Sequence, residues 1–229
     1  MQPYVFPYLG YFQLINASDK FVFLDDVNFI KNGWINRNRI LLNGQGFLFS
    51  IPLKDGSSFK KISETEISEN RFNVWRIKFL KTLEQAYKKA PCFEDVHELV
   101  LSIFKQSFET INQLAKESII QLSNYLDIKT TFEKSSTIYD NKDLKGEARI
   151  IDICLKEKAT HYFNAIGGLN LYNKEKFSKN KIELFFIKAT SQSYPQFSND
   201  FINNLSIIDV LMFNEPNHIK TLLSQYELI

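Results

Sequence analysis

Two hydrophobic periods alternate along this chain, and that alternation limits its possible folds more than any other feature. Between Asn70 and Tyr125 apolar residues recur every three or four positions, whereas short dense apolar runs bounded by turn residues lie on either side. The first pattern belongs to helices with one buried face and the second to buried strands. Phe72, Trp75, Phe79, Leu83 and Ala86 share one helical face, with Arg76, Lys78, Lys81 and Lys88 opposite. Pro91 ends that helix. Phe93, Val96, Val100, Phe104, Phe108, Ile111, Ala115, Ile119, Leu122 and Tyr125 continue the stripe, which predicts two further helices meeting near Ser107.

Strand-like runs flank this helical middle section. KFVFLDD from Lys20 reads as a buried strand ending in two carboxylates. RNRILLNG and GFLFSIPL, separated by Asn43-Gly44-Gln45-Gly46, predict a β-hairpin, because glycine tolerates the positive φ such turns need. In the last third KTTFEKSS, THYFNAI and KIELFFIKA read as strands, and KGEARIIDICLKEKA and LSIIDVLMF as helices. Strands separated by helices argue for βαβ units and a mainly parallel sheet. The expectation is one α/β domain over residues 1–229, with the sheet assembled from both ends of the chain and residues 70–127 forming a helical insertion or subdomain.

Composition narrows the function classes. An apolar fraction of 44% suits a globular core, and 28 basic against 26 acidic residues provide no concentrated positive surface for a nucleic-acid backbone. Cys92 and Cys154 have no companions at metal-ligand spacing and are expected to be reduced thiols. No run approaches the ~18 apolar residues of a membrane span, and the first residues lack the pattern of a signal peptide, so a cytoplasmic protein is expected. No nucleotide-loop, HExxH or GxSxG pattern is present, and no cofactor or metal is indicated.

Candidate chemistry gathers in two stretches. In MQPYVFPYLGYFQLI, Pro3 and Pro7 stiffen the backbone, Gly10 permits close approach, and Tyr4, Tyr8 and Tyr11 combine flat faces with hydroxyls; Gln2 adds an amide. That mixture suits a pocket wall, and equally suits packing where a strand becomes a helix. Asp25 and Asp26 then arrive at a strand end, where open parallel sheets bind ligands. Neighbouring strand side chains point to opposite faces, so one of the two is expected in the pocket, and the pattern does not choose between them. Lys31, Arg37 and Arg39 follow as candidates to answer that charge or hold an anion, with Trp34 and Asn36 among them as candidates for substrate binding. In HYFNAIGGLNLY, His161 is a candidate base, Tyr162, Asn164 and Tyr172 offer polar tips, and Gly167 and Gly168 permit close backbone approach. A lone strand histidine is, however, more often a hydrogen-bonded structural residue.

With these residues in view, the chain resembles the WbqC-like family of bacterial proteins. The resemblance rests on MQPYVFPYLGYFQLI, FVFLDDVNFIKNGWINRNRI, YKKAPCF, KATHYFNAIGGLNLY and NLSIIDVLMFN, which span nearly the whole chain in order. It implies work in O-antigen and surface-polysaccharide assembly, on nucleotide-linked amino sugars. Members commonly carry a few strand-like residues ahead of Met-Gln-Pro-Tyr, so the first strand is expected to be short or its start incomplete. A fainter resemblance, of FPYLGYFQLINAS to the HxGH region of nucleotidylyltransferases, implies a Rossmann-like sheet, although Tyr8 and Tyr11 stand where that superfamily keeps histidines. Tyrosine cannot supply the positive charge that phosphoryl chemistry uses. The leading expectation is therefore acyl or aminoacyl transfer to the amino group of a nucleotide-linked sugar. The acyl donor would be a small molecule or a carrier protein, with Asp25 or Asp26 as base or orienter. Nucleotidyl or phosphoryl transfer, and a non-catalytic module binding glycans or a partner enzyme, are the alternatives.

Overall fold

The computed structural model describes residues 1–190, 193–197 and 200–229. An extended stretch leads into α1 (Leu9–Asn16) and then β1 (Lys20–Val22). β1 lies parallel to β4 (Thr131–Glu133), with Phe21 opposite Phe132. The predicted hairpin forms from β2 (Arg37–Leu42) and β3 (Gln45–Ser50), with Leu42 opposite Gln45. Its turn is tighter than the sequence suggested: Asn43 and Gly44 alone, at φ 51° and 74°, make the connection. Two successive positive φ values match the right-handed twist of the flanking strands.

The helical middle section consists of α2 (Glu69–Tyr87), α3 (Phe93–Lys105) and α4 (Ile111–Tyr125). The chain leaves α3 just before Ser107 and is recaptured by Thr110. The Thr110 hydroxyl accepts from the Gln113 amide while Gln113 accepts from the Thr110 N–H, a reciprocal cap that satisfies otherwise orphaned donors. Along the stripe, Trp75 stacks on Phe79 at 4.8 Å and meets Phe104 edge-on at 5.7 Å. These aromatics share one apolar core with Val5, Phe6 and Phe12 from the start of the chain and Ile208 and Leu211 near its end.

The last third forms α5 (Gly146–Lys156), β5 (His161–Ala165), α6 (Lys174–Lys179), β6 (Glu183–Ala189), α7 (Ile207–Phe213), α8 (Pro216–Leu223) and β7 (Tyr226–Leu228). β5 and β6 run parallel with α6 between them, and β7 joins β6 antiparallel. Sequence analysis did not identify α6, α8 or β7, each of which is eight residues or fewer. α5, α6 and β6 contribute Ile150, Cys154, Phe177 and Phe186 to a second, smaller apolar cluster.

The result is a mixed α/β fold with parallel pairing in it, but not the single mainly parallel sheet expected. Among the described residues the strands form three sheets: β1–β4, β2–β3 and β5–β6–β7. The predicted strand over residues 20–26 keeps its ladder only to Val22. Beyond it, Asp25 and Asp26 exchange ladder bonds for side-chain bonds to other elements, and β1 and β5 are separated by a cavity rather than joined.

Candidate functional site at the carboxyl end of β1

Asp25 and Asp26 follow β1 directly and both turn inward, with 2% and 6% of their surface exposed. Carboxylates so buried need opposite charge and donors. Asp25 accepts from Lys116 Nζ at 2.6 Å and Asn112 Nδ2 at 3.0 Å on one oxygen, and from the Ser135 hydroxyl at 2.9 Å and the Ser136 N–H at 3.2 Å on the other. Asp26 accepts from Arg149 Nη2 at 2.8 and 2.7 Å and from the Ser136 hydroxyl at 2.5 Å. Burial raises the Asp26 pKa, but the Arg149 and Ser136 hydrogen bonds outweigh it and leave the carboxyl below its ordinary value. The network continues from Arg149 Nε to Asn141 and from Asn141 to Asp152. Asn112 Oδ1 is buried with no hydrogen-bond partner among the described residues, which leaves one acceptor available beside Asp25.

The cations were expected from Lys31 and Arg37 but come instead from the helices: Lys116 from α4 and Arg149 from α5. Sequence analysis missed both, along with Asn112, Ser135, Ser136 and Asn141. A signal existed. Arg149 stands four residues before Ile153 on the buried face of α5, and Asn112 and Lys116 have the same spacing on α4. A charge in register with an apolar face marks a buried partner.

The opening stretch is threaded beside this site. Val5 N–H donates to Ile35 O at 3.0 Å, and Phe6 O accepts from Asn38 Nδ2 and the Ser206 hydroxyl, each at 2.7 Å. These bonds hold buried Phe6 at φ 44°, a conformation a bulky residue rarely adopts. Tyr11 is buried, donates to Gln2 O at 2.8 Å and packs against Tyr4 at 5.7 Å. Tyr8 is 37% exposed, and its ring lies over Gly10, where a Cβ would come within 2.6 Å of it. The rigidity of this stretch thus serves packing at Tyr11 and leaves Gln2, Tyr4 and Tyr8 partly accessible.

The second stretch reaches the same end of the fold. Leu24, Tyr162 and Tyr172 pack on the smaller apolar cluster, with Tyr162 stacked on Phe177 at 5.4 Å. Burial holds the Tyr162 hydroxyl well above its ordinary pKa. Asn164 is buried, accepts from the Ala165 N–H at 2.8 Å and approaches Tyr162 Oη at 3.4 Å. A Cβ on Gly168 would lie 2.9 Å from Asn164 Nδ2, so close approach is real there; at Gly167 the space is open.

The other candidates stand apart. Lys31 and Trp34 are exposed, and Arg37 packs over the Trp34 ring at 5.7 Å while donating to Gly33 O at 2.8 Å. Asn36 donates to Ile51 O at 3.0 Å. His161 sits at the opposite, amino end of β5, bonded to Thr160 Oγ1 at 2.8 Å and stacked on Phe185. Four residues of strand, roughly 13 Å, separate it from the end that bears Asn164 and Ala165. No group of three or more metal-ligating side chains occurs among the described residues, and both cysteines are free. Among the described residues no helix is long and apolar enough to cross a membrane.

The model of the WbqC-like protein family matches residues 2–221, which takes in both stretches from Gln2 onward and every site residue named above. The chain belongs to the WbqC-like protein family. An uncharacterized protein of Mycobacterium tuberculosis, Rv1507c, is 28% identical over 211 residues, covering 91% of this chain and 89% of its own length. No solved structure gives a significant match. In this WbqC-like chain the match therefore covers both carboxylates and their cations as well as the aromatic start.

Proposed function

We propose that this chain is a transferase of bacterial surface-polysaccharide (O-antigen) assembly, moving an acyl or aminoacyl group onto the amino group of a nucleotide-linked amino sugar. In the reaction the sugar nitrogen forms a bond to the acyl carbon, the bond between that carbon and the donor's leaving group breaks, and the amine proton departs with that leaving group as its conjugate acid. The observation that supports the reading is the pair of buried carboxyl groups, each held by a cationic side chain, where the chain leaves a parallel strand. A carboxyl held below its ordinary pKa is a weak base near neutral pH but a good orienting group. Asp26 accordingly acts as a positioning residue, through Arg149 and Ser136, and Asp25 through Lys116. Lys31 and Arg37 hold phosphate, and Tyr4, Tyr8 and Trp34 lie against sugar or base. The Val5–Ile35 hydrogen bond supports this grouping, since it ties the segments bearing Tyr4 and Trp34 side by side. Nucleotidyl transfer is less well supported, because Tyr11 is buried and bonded to Gln2 O.

The test is incubation of the purified protein with nucleotide-linked amino sugars and acyl donors, followed by mass spectrometry. An acylated sugar nucleotide is expected, and its loss in Lys31→Ala with the fold retained ties phosphate binding to the loop that bears Lys31 and Trp34. No mass increase with any donor, together with binding unaffected by Lys31→Ala, supports a non-catalytic module instead.

A further inference from the structure

A polar groove of about 950 Å³ opens where α2 begins and α3 ends, a volume within the ~300–1,000 Å³ of small-molecule sites. It is distinct from the carboxylate network. Glu64 and Thr110 line it, while nearby Ser63 and Asn112 bond to Asp25 instead. One wall is α2, where Glu69, Asn73 and Arg76 follow at four- and three-residue spacing and so form a row. The other is the segment from Gln106 to Thr110. Ile67 N–H donates to Glu109 O and Arg76 Nη1 donates to Phe104 O, each at 2.9 Å, and these bonds hold the walls in place. The apolar lining comes from Ile67, Phe72 and Phe108.

The cations of this groove are already engaged. Lys54 pairs with Glu66 at 2.8 Å, and Arg76 holds the carbonyl of Phe104. Its other polar groups are not: Glu69 and Glu109 have no ion pair, and Asn70, Asn73 and Ser107 no side-chain hydrogen bond, among the described residues. Glu64, Glu66, Glu69 and Glu109 face only Lys54 and Arg76, a balance that repels phosphate and attracts an amine. Carboxylates alone would suit any amine. The amides and the hydroxyl add donors and acceptors that match a ligand rich in hydroxyl groups. Half-buried Phe108 offers such a ligand a flat apolar surface for its C–H face.

We propose that this groove binds a saccharide carrying free amino groups. Glu69 and Glu109 take the ammonium groups, Asn70, Asn73 and Ser107 the hydroxyls, and Phe108 the face of a sugar ring. Such binding needs no transfer chemistry, and it stands whether or not the carboxylates after β1 act on a sugar.

Calorimetry with three probes tests it: a β-linked glucosamine tetramer, its fully N-acetylated counterpart, and tetralysine. The two saccharides share a ring skeleton and differ in charge; the peptide carries the charge without the sugar. The glucosamine tetramer is expected to bind at least tenfold more tightly than either of the others. Glu69→Gln and Glu109→Gln each weaken it about fivefold, the size of one exposed ion pair. Phe108→Ser weakens both saccharides. Glu98→Gln, which neutralises an exposed carboxylate of α3 outside the groove, leaves binding unchanged. Circular dichroism checks that each variant keeps the fold. Equal affinity for the two saccharides, tetralysine binding as tightly as the glucosamine tetramer, no binding of either saccharide, or a loss in Glu98→Gln equal to those in Glu69→Gln and Glu109→Gln overturns the proposal.

Discussion

Replacing Arg149 by methionine tests the central electrostatic claim. The substitution keeps most of the side-chain volume and removes the charge facing Asp26. In the native protein the Arg149 side chain is 8% exposed and that of Asp26 1%, with contacts at 2.7 and 2.8 Å. An exposed pair of this geometry contributes less than about 1 kcal/mol. A buried one, broken from one side, costs about 3–5 kcal/mol, because the remaining charge has lost its compensation in a low-dielectric setting. Urea denaturation at pH 7 is expected to show a loss in that range for Arg149→Met, and a loss in Asp26→Asn/Arg149→Met well below the sum of the two single losses. The pH dependence carries a sign. The folded pKa of Asp26 is depressed, so its stabilisation is present above the unfolded carboxylate value near ~3.9 and is lost as pH falls through the folded pKa. In Arg149→Met burial is no longer opposed by the cation, the pKa of Asp26 rises, and the deficit shrinks as pH is lowered from 7 towards 4. A deficit below about 1 kcal/mol, or one independent of pH over that range, refutes the reasoning.

Asp209 behaves in the opposite sense. It is fully buried with no cationic partner among the described residues, accepts from Tyr87, Tyr194 and Gln196, and burial raises its pKa. Its contribution is therefore complete below the unfolded pKa and lost as pH rises through the folded one; Asp209→Asn is expected to flatten that part of the stability–pH curve measured by urea titration. Thr110→Ala removes the reciprocal cap of α4 and should cost about 1 kcal/mol in the same assay. Gly168→Ala is expected to lower the melting temperature by displacing Asn164, whereas Gly167→Ala, with open space at its Cβ, leaves it unchanged in a thermal melt.

Much of the local structure was legible in the chain because local periodicity reports it. The three middle helices stand out by spacing, and the hairpin by Asn43-Gly44, since these signals depend on neighbours within a few residues. The short elements α6, α8 and β7 contain too few residues for a period to register. At the site, Asp25 and Asp26 were identifiable at a strand end, but their partners were not. Lys116 and Arg149 lie 91 and 123 residues from them, and only their position on otherwise apolar helical faces hinted at burial.

Residue order alone therefore settled the mixture of helices and strands, the helical middle section, and the strand end at which Asp25 and Asp26 stand. Tertiary structure decided which charges meet. It pairs the aspartates with helical cations rather than with nearby Lys31 and Arg37, turns both carboxylates inward, and leaves His161 at the far end of β5. It also divides the expected sheet, because hydrogen bonding between strands is a contact between distant segments that no local pattern encodes. Sequence neighbours compete for solvent, whereas buried charges find partners wherever packing removes water.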